Sequence, residues 1–510
     1  MMKRLSCLLL LLTMLLSVFA GCKNGNAGQQ GTTPPSGENS DPTESATDTG
    51  EPEVPRKTWD DLSKEKYNTE FTILGQNAFP WSSEDINPPE NTPTELSVAA
   101  YSRNQAVASR HGITFNINMF TGNAITVMDT MDLVGENDYS LYDVPLSKWA
   151  AVVVKGYFKD LRSMNELDLD DSWWDQRFVE DLTIYDQLYG ILSDATYVDK
   201  LSTWAVQFNT DMFSTYGLEE NMYQLVADGE WTIGKLTELA KRVNTDANSD
   251  GEMVLGGQDV YGVAGELANL DFLFEGCGMP YASFRDDEIV YHLTEKKAAF
   301  DDVFQKIFDL VADSTLTYMA DAHMDAPEGP WGRGRKFFEQ QQALFYIGGI
   351  INLPTYFRSY KHDYGLVPMP KYTEEQDRYY NAITTVNCLT FSIPRNAVNP
   401  SMAAVVMQAL ACRGETTILP VFYNTLLKGQ SARDPQTLEM LDSIFDNRIF
   451  DLGTIYRFGN LAGSSDALIS QLVKAGKRNE FSHTVDENAN IAKNKIEELL
   501  NFYDKNYAQN

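Results

Sequence analysis

Several things are scarce in this chain, and each scarcity closes off a class of function. Only five histidines are spread over 510 residues, all of them alone, at positions 111, 292, 323, 362 and 483. Scattered single histidines make poor metal centres and poor acid–base pairs. Five cysteines cannot build a disulfide scaffold at this length. Basic side chains are outnumbered, 41 against 72 acidic, for a formal charge of −31. That sign repels phosphate, so nucleic acid and anionic membrane surfaces are excluded as main partners. Catalytic motifs are missing too: no G-x-S-x-G elbow, no H-E-x-x-H zinc helix and no Walker loop. Gly332-Arg333-Gly334 lacks the third glycine of a dinucleotide loop. Beyond residue 20, no apolar run is long enough to cross a bilayer. Disorder is excluded as well, since 43% of residues are hydrophobic and 12% aromatic.

What is present begins with an address. Lys3 and Arg4 precede an almost unbroken apolar run, Leu5 to Ala20, shorter than the ~20 residues of a membrane-spanning helix. A basic start, a short apolar core and small residues after it form a secretory signal, residues 1–22. Phe19-Ala20-Gly21-Cys22 resembles a bacterial lipobox, which implies that Cys22 becomes the lipid-bearing N-terminus. Phe19 stands where an aliphatic residue is commoner. Loss of Lys3 and Arg4 leaves 39 basic side chains against 72 acidic, a charge of −33. Residues 23–66 are assigned as a flexible tether, on a Gly-, Ser-, Thr-, Pro- and acid-rich stretch that runs to Lys57. Of the remaining cysteines, Cys277, Cys388 and Cys412 allow at most one disulfide, and three buried thiols is the plainer reading.

The folded part opens as strand, helix, strand, helix, strand, the sequence form of an α/β sheet. Glu70–Leu74 reads as a strand, and Thr92-Pro93-Thr94-Glu95 as a capped start to a helix ending at Gly112. Alternating Ile113, Phe115, Ile117 and Met119 predict the second strand, and Ser140–Leu146 the third. Amphipathic helices are expected over Thr232–Val243 and Glu295–Ala312, and helices dominate from Ser401 onward.

Two residue constellations carry chemistry. Asp246, Asn248 and Asp250, followed by Gly251, have the oxygen spacing of a calcium loop, with Asp259 as the distal carboxylate and a structural calcium ion implied. An acidic Asx-rich turn without metal is the alternative. No cofactor is otherwise required. Tryptophans beside polar residues form the second signal, because sugar rings stack on aromatic faces while their hydroxyls need carboxylate and amide partners. Core packing is the competing reading for each of them.

The passages Leu167-Asp-Leu-Asp-Asp-Ser-Trp-Trp-Asp175, Phe208-Asn-Thr-Asp-Met-Phe213 and Gly229-Glu-Trp-Thr-Ile-Gly-Lys-Leu236, with Asp246–Gly262, Ala343-Leu-Phe345 and Tyr364–Tyr372, occur in an instructive order. Together they resemble the extracellular solute-binding lipoproteins of bacterial ABC importers, in the carbohydrate-binding group that includes maltodextrin-binding protein. The resemblance spans nearly the whole mature chain. It implies an α/β, two-lobed periplasmic-binding-protein-like fold of type II, with an interlobe cleft, strand crossovers and a helical C-terminal region.

The lobes it implies are an N-lobe of 67–192 and 337–383 and a C-lobe of 193–336 and 384–510. Ligand-binding residues implied at the cleft are Trp81, Trp149, Asp194 and Tyr346, with Trp204 and Trp331 as additional candidates. For Trp149, packing beneath the following helix is an equal alternative. Arg333 and Arg335 read as solvated surface arginines. The implied function is binding of a sugar or oligosaccharide by an exported, lipid-anchored monomer, which presents it to ABC permease subunits without chemistry. The rivals are a surface glycoside hydrolase, a receptor for a peptide, polyol or acidic sugar, and a receptor reporting to a sensor kinase.

Overall fold

The computed structural model describes residues 56–76, 84–88, 94–135, 137–427 and 435–507. The signal, Cys22 and Trp81 lie outside the described residues.

The first sheet starts with β1 (Thr69–Gln76), β2 (Ile113–Phe120) and β3 (Leu141–Pro145), all parallel. Between β1 and β2 runs the helix Glu95–His111. Its cap is Thr94, whose hydroxyl oxygen accepts the Ser97 N–H at 3.0 Å, two residues later than the Thr92 start read from the sequence. Gly112 ends the helix at φ 62, a left-handed turn that admits glycine without strain.

The second sheet is built from β4 (Trp204–Asn209) and β5 (Tyr261–Gly265). A small hairpin follows, β6 (Ala282–Arg285) with β7 (Glu288–Tyr291), and then β8 (Thr317–Met319), β9 (Ala343–Gly349) and β10 (Tyr364–Val367). Its strand order is β10-β4-β9-β5-β8. Here β5, β8 and β9 are parallel, while β4 runs antiparallel to β9 and β10. Two-residue strands β11 (Asn381–Ala382) and β13 (Arg448–Ile449) pair with each other, and β12 (Leu389–Ser392) returns to pair antiparallel with β3.

This pairing corrects the lobe boundaries expected from the sequence. Residues 337–383 carry β9 and β10, which lie in the second sheet, and the strand that returns to the first sheet is β12, inside the stretch assigned to the second lobe. The reason is physical: an apolar strand fits any sheet buried on both faces, so its residues do not name its neighbour. Tether residues beyond Lys57 are also folded. Leu62 is buried, Arg110 donates to the Ser63 carbonyl, and its guanidinium lies 4.4 Å over the Trp59 ring.

The main core runs through both sheets, from Phe71, Ile73 and Val144 to Val206, Val263 and Phe345. A second core fills the other face of the second sheet with Ala205, Ala264 and Leu366, under Ile418 of the helix Pro400–Leu427 and Leu441 of Pro435–Asp446. Helix Pro400–Leu427 also packs along Glu95–His111. Two neighbouring segments join the sheets. One runs from Ile191, bridged to Phe391, to Thr203, bridged to Ile383; the other runs from Ile383 to Leu389. They touch where the Thr384 N–H donates to the Ser202 carbonyl at 3.0 Å. Cys277, Cys388 and Cys412 are free and buried. Among the described residues, no helix is long and apolar enough to cross a membrane.

Candidate functional site

Parallel strands end with their backbone carbonyls and following loops on one edge, which is where open α/β sheets form ligand crevices. In the second sheet that edge carries Glu266 after β5, Asp321 after β8, and Ile351 and Asn352 after β9. Antiparallel β4 brings its first residue, Trp204, to the same edge. These residues line a cavity of about 550 Å³. Further wall comes from the returning crossover, Ile383–Asn387, from the helices Asn269–Gly276 and Pro330–Glu339, and from Thr454 and Gly463–Ser465. The crossover is tied to the carboxyl edge of the first sheet, because the Ser147 N–H donates to Thr385 and the Leu146 N–H to Cys388. The cavity therefore sits at the seam between the sheets.

Its apolar surface is aromatic. The Trp204 ring stacks on Phe272, with centroids 4.5 Å apart and planes at 24°. Trp204 is buried, and its indole N–H has no hydrogen-bond partner among the described residues. Trp331 is 43% exposed at the rim and donates its indole N–H to Glu266. Tyr346, on β9, packs against Phe338 and Phe357. The Arg335 guanidinium lies 3.8 Å over the ring of Tyr356, a cation–π contact.

The polar surface is acidic. Burial pushes the Glu266 carboxyl up to about 7; the Trp331 N–H opposes that, Asp321 adds to it and Arg335 opposes it. Burial likewise pushes Asp271 up to about 7, against hydrogen bonds from the Gly463 N–H at 3.1 Å and the Tyr281 hydroxyl at 2.9 Å. Asp321 accepts the Leu267 N–H at 2.6 Å. One glycine makes this geometry possible. A Cβ on Gly265 would lie 2.0 Å from Asn269 Nδ2, so glycine there leaves room for the Asn269 side chain against β9.

Of the residues predicted from sequence, Trp204, Trp331 and Tyr346 come together in this cavity. Trp149 does not. It is fully buried, its ring is nearly coplanar with Phe158 at 6.4 Å, and its indole N–H donates to the Tyr189 carbonyl at 3.1 Å. Helix Leu146–Val153 turns it inward, so the packing alternative holds. Asp194 also lies elsewhere, in a polar cavity of about 630 Å³ behind the crossover, paired with Lys200 at 3.1 Å. There Arg448 bridges Asp175 at 2.5 Å and Asp199 at 2.7 Å, all three buried. Burial pushes the Asp199 carboxyl up, but Lys200 and Arg448 more than offset that and hold it below the ordinary range.

The calcium-loop residues form a turn closed on itself. Asp246 accepts the Gly251 N–H at 2.8 Å and Asp250 the Glu252 N–H at 2.8 Å; Asp259 accepts Ala247 and Val254 N–H groups, both at 2.9 Å. Asn248 accepts the Asp250 N–H and donates to its carboxylate. Among the described residues, no three His, Cys, Asp or Glu side chains converge as a metal set. Most of these side-chain oxygens accept backbone amides, as in an Asx turn, while Asp246 Oδ1 is buried with no partner among the described residues.

Sequence reading missed Glu266, Asp271, Phe272 and Asp321, and it placed Arg335 on the open surface. Each follows a strand or faces the seam, so the missing signal was strand pairing. Any of them becomes visible once β5, β8 and β9 are known to be parallel neighbours.

No protein-family model and no curated protein sequence matches this chain. Solved structures do. An ABC substrate-binding protein from Listeria monocytogenes in complex with cycloalternan superposes with a TM-score of 0.53 at 14% identity, covering 84% of this chain and 98% of that one. A family 1 extracellular solute-binding protein from Bifidobacterium longum subsp. infantis gives 0.52 at 14%, over 84% and 99%. A cyclo/maltodextrin-binding protein complexed with maltotetraose gives 0.53 at 14%, over 85% and 98%. The fold is that of the ABC-importer solute-binding proteins. In this solute-binding fold the two sheets are the cores of two lobes, and the seam between them is the cleft.

Proposed function

We propose that the chain is a lipid-anchored, exported solute receptor that holds a sugar or oligosaccharide in the cleft and presents it to ABC permease subunits. One observation carries this reading: an aromatic platform, Trp204 on Phe272, faces a cavity whose polar groups are carboxylates and amides at the carboxyl edge of parallel strands. That combination suits a ring with apolar faces and hydroxyl edges. The cleft-closing mechanism then needs only differential binding, since solute is fully enclosed only when both lobes contact it. The lipobox-like Phe19–Cys22 supports anchoring on the outer face of the cell membrane; a monomer is the assembly this reading expects.

The test is isothermal titration of the whole chain, in detergent, against neutral mono- and oligosaccharides, with product analysis in parallel. Saturable binding without turnover is expected. Release of shortened sugar would replace this reading with the hydrolase, and a response to peptides alone would move it to another solute class. Radiolabelled cysteine-linked lipid lost in Cys22→Ala checks the anchor. Uptake that fails without neighbouring permease subunits separates transport from sensing.

A further inference from the structure

The charges lining the cleft cavity are not balanced. Glu266, Asp271 and Asp321 contribute three carboxyls, and among the described residues Arg335 is the only lysine or arginine in the wall. That guanidinium is already engaged over the Tyr356 ring at 3.8 Å. Asp271 is anchored from behind by Tyr281 and Gly463, whereas Glu266 is held at the rim by the Trp331 indole N–H. The Trp331 ring thus lies beside a carboxylate, and aromatic faces with a neighbouring acid attract a cation as well as a sugar face. At longer range the whole chain carries −31, so its field draws positively charged solutes and repels anions.

Resting on the sugar-receptor reading, we propose that the physiological solute is a cationic saccharide, one bearing a free amine, whose ammonium pairs with Glu266 and Asp321. A neutral sugar would leave these acids to hydroxyls alone. An acidic sugar would set its carboxylate against three others at close range, with only Arg335 to offset them.

Matched ligands isolate the charge: oligosaccharides of glucosamine, their N-acetylated counterparts, glucose oligomers of the same length and their uronic acids, titrated into the whole chain at pH 7.5. The free amine is expected to bind about tenfold or more tighter than the acetylated form, as one charge-assisted hydrogen bond provides. Glu266→Gln and Asp321→Asn should each erase most of that preference, read as the ratio of free-amine to acetylated affinity within the same variant, so that a general loss of sugar binding does not count towards it. Circular dichroism melts without ligand establish that both variants fold, and either variant alone suffices for the comparison. Equal or tighter binding of neutral or acidic sugars overturns the charge assignment and leaves the sugar receptor standing. Binding of a ringless diamine such as putrescine, with every sugar silent, overturns the sugar reading and leaves the charge assignment. Silence across the panel overturns both.

Discussion

At the scale of single residues, two tryptophans that look alike in the sequence have opposite duties. Trp149 is enclosed on all sides, so Trp149→Ala should cost about 3–5 kcal/mol in denaturant unfolding through the cavity it leaves. Trp331 stands at the rim with 43% of its surface exposed, and Trp331→Ala should cost about 1 kcal/mol or less while weakening solute binding. A stability loss at Trp331 as large as that at Trp149 would place it in the core instead. Titration gives a second residue-scale expectation. Folded Glu266 and Asp271 keep their protons up to about 7, whereas the unfolded chain releases them near the ordinary carboxylate values. Their contribution to stability is therefore complete only below about pH 4 and is lost progressively as pH rises to about 7. Glu266→Gln should flatten the fall in melting temperature between pH 5 and pH 8. An unchanged slope would show that the group does not titrate there.

Among elements, strands and helices were readable because each carries its own period and punctuation. Thr232 caps the helix Ile233–Val243, Gly112 ends Glu95–His111, and β1, β2 and β3 lie where alternation and apolar runs place them. Pairing was not readable. The apolar runs of β9 and β10 contain nothing that distinguishes one doubly covered sheet from another, so their lobe was misassigned along with the wall residues that depend on it. The calcium pattern is of the same kind: spacing places oxygens near one another, and backbone amides compete with a cation for them. If the loop is an Asx turn alone, calcium or a chelator leaves the melting temperature unchanged, and a clear upward shift with calcium would establish the metal loop. Behind the crossover, Arg448→Ala should cost about 3–5 kcal/mol, because it strands the buried carboxylates of Asp175 and Asp199. A melt that barely moves would show that water already reaches that network.

For the whole molecule, the resemblance read from the sequence and the folded architecture agree on a two-lobed α/β fold, although a solved structure of similar fold shares only about one residue in seven, 14%. Fold of this kind survives such divergence because buried patterning, not identity, maintains it. Small-angle scattering should show the chain contracting on binding solute, as lobes that close do; an unchanged radius would mean a cleft already shut. The crossovers have a consequence for biogenesis. Strand β3 ends at Pro145, yet its partner β12 begins only at Leu389. The first sheet thus waits for about 240 further residues before its edge is covered, a long-range closure that is slow to form. While the chain is being exported, that bare edge is open to pairing with other chains. The strands of the second sheet are in effect an insertion between β3 and β12 of the first, so a truncation anywhere before residue 392 leaves the first sheet incomplete.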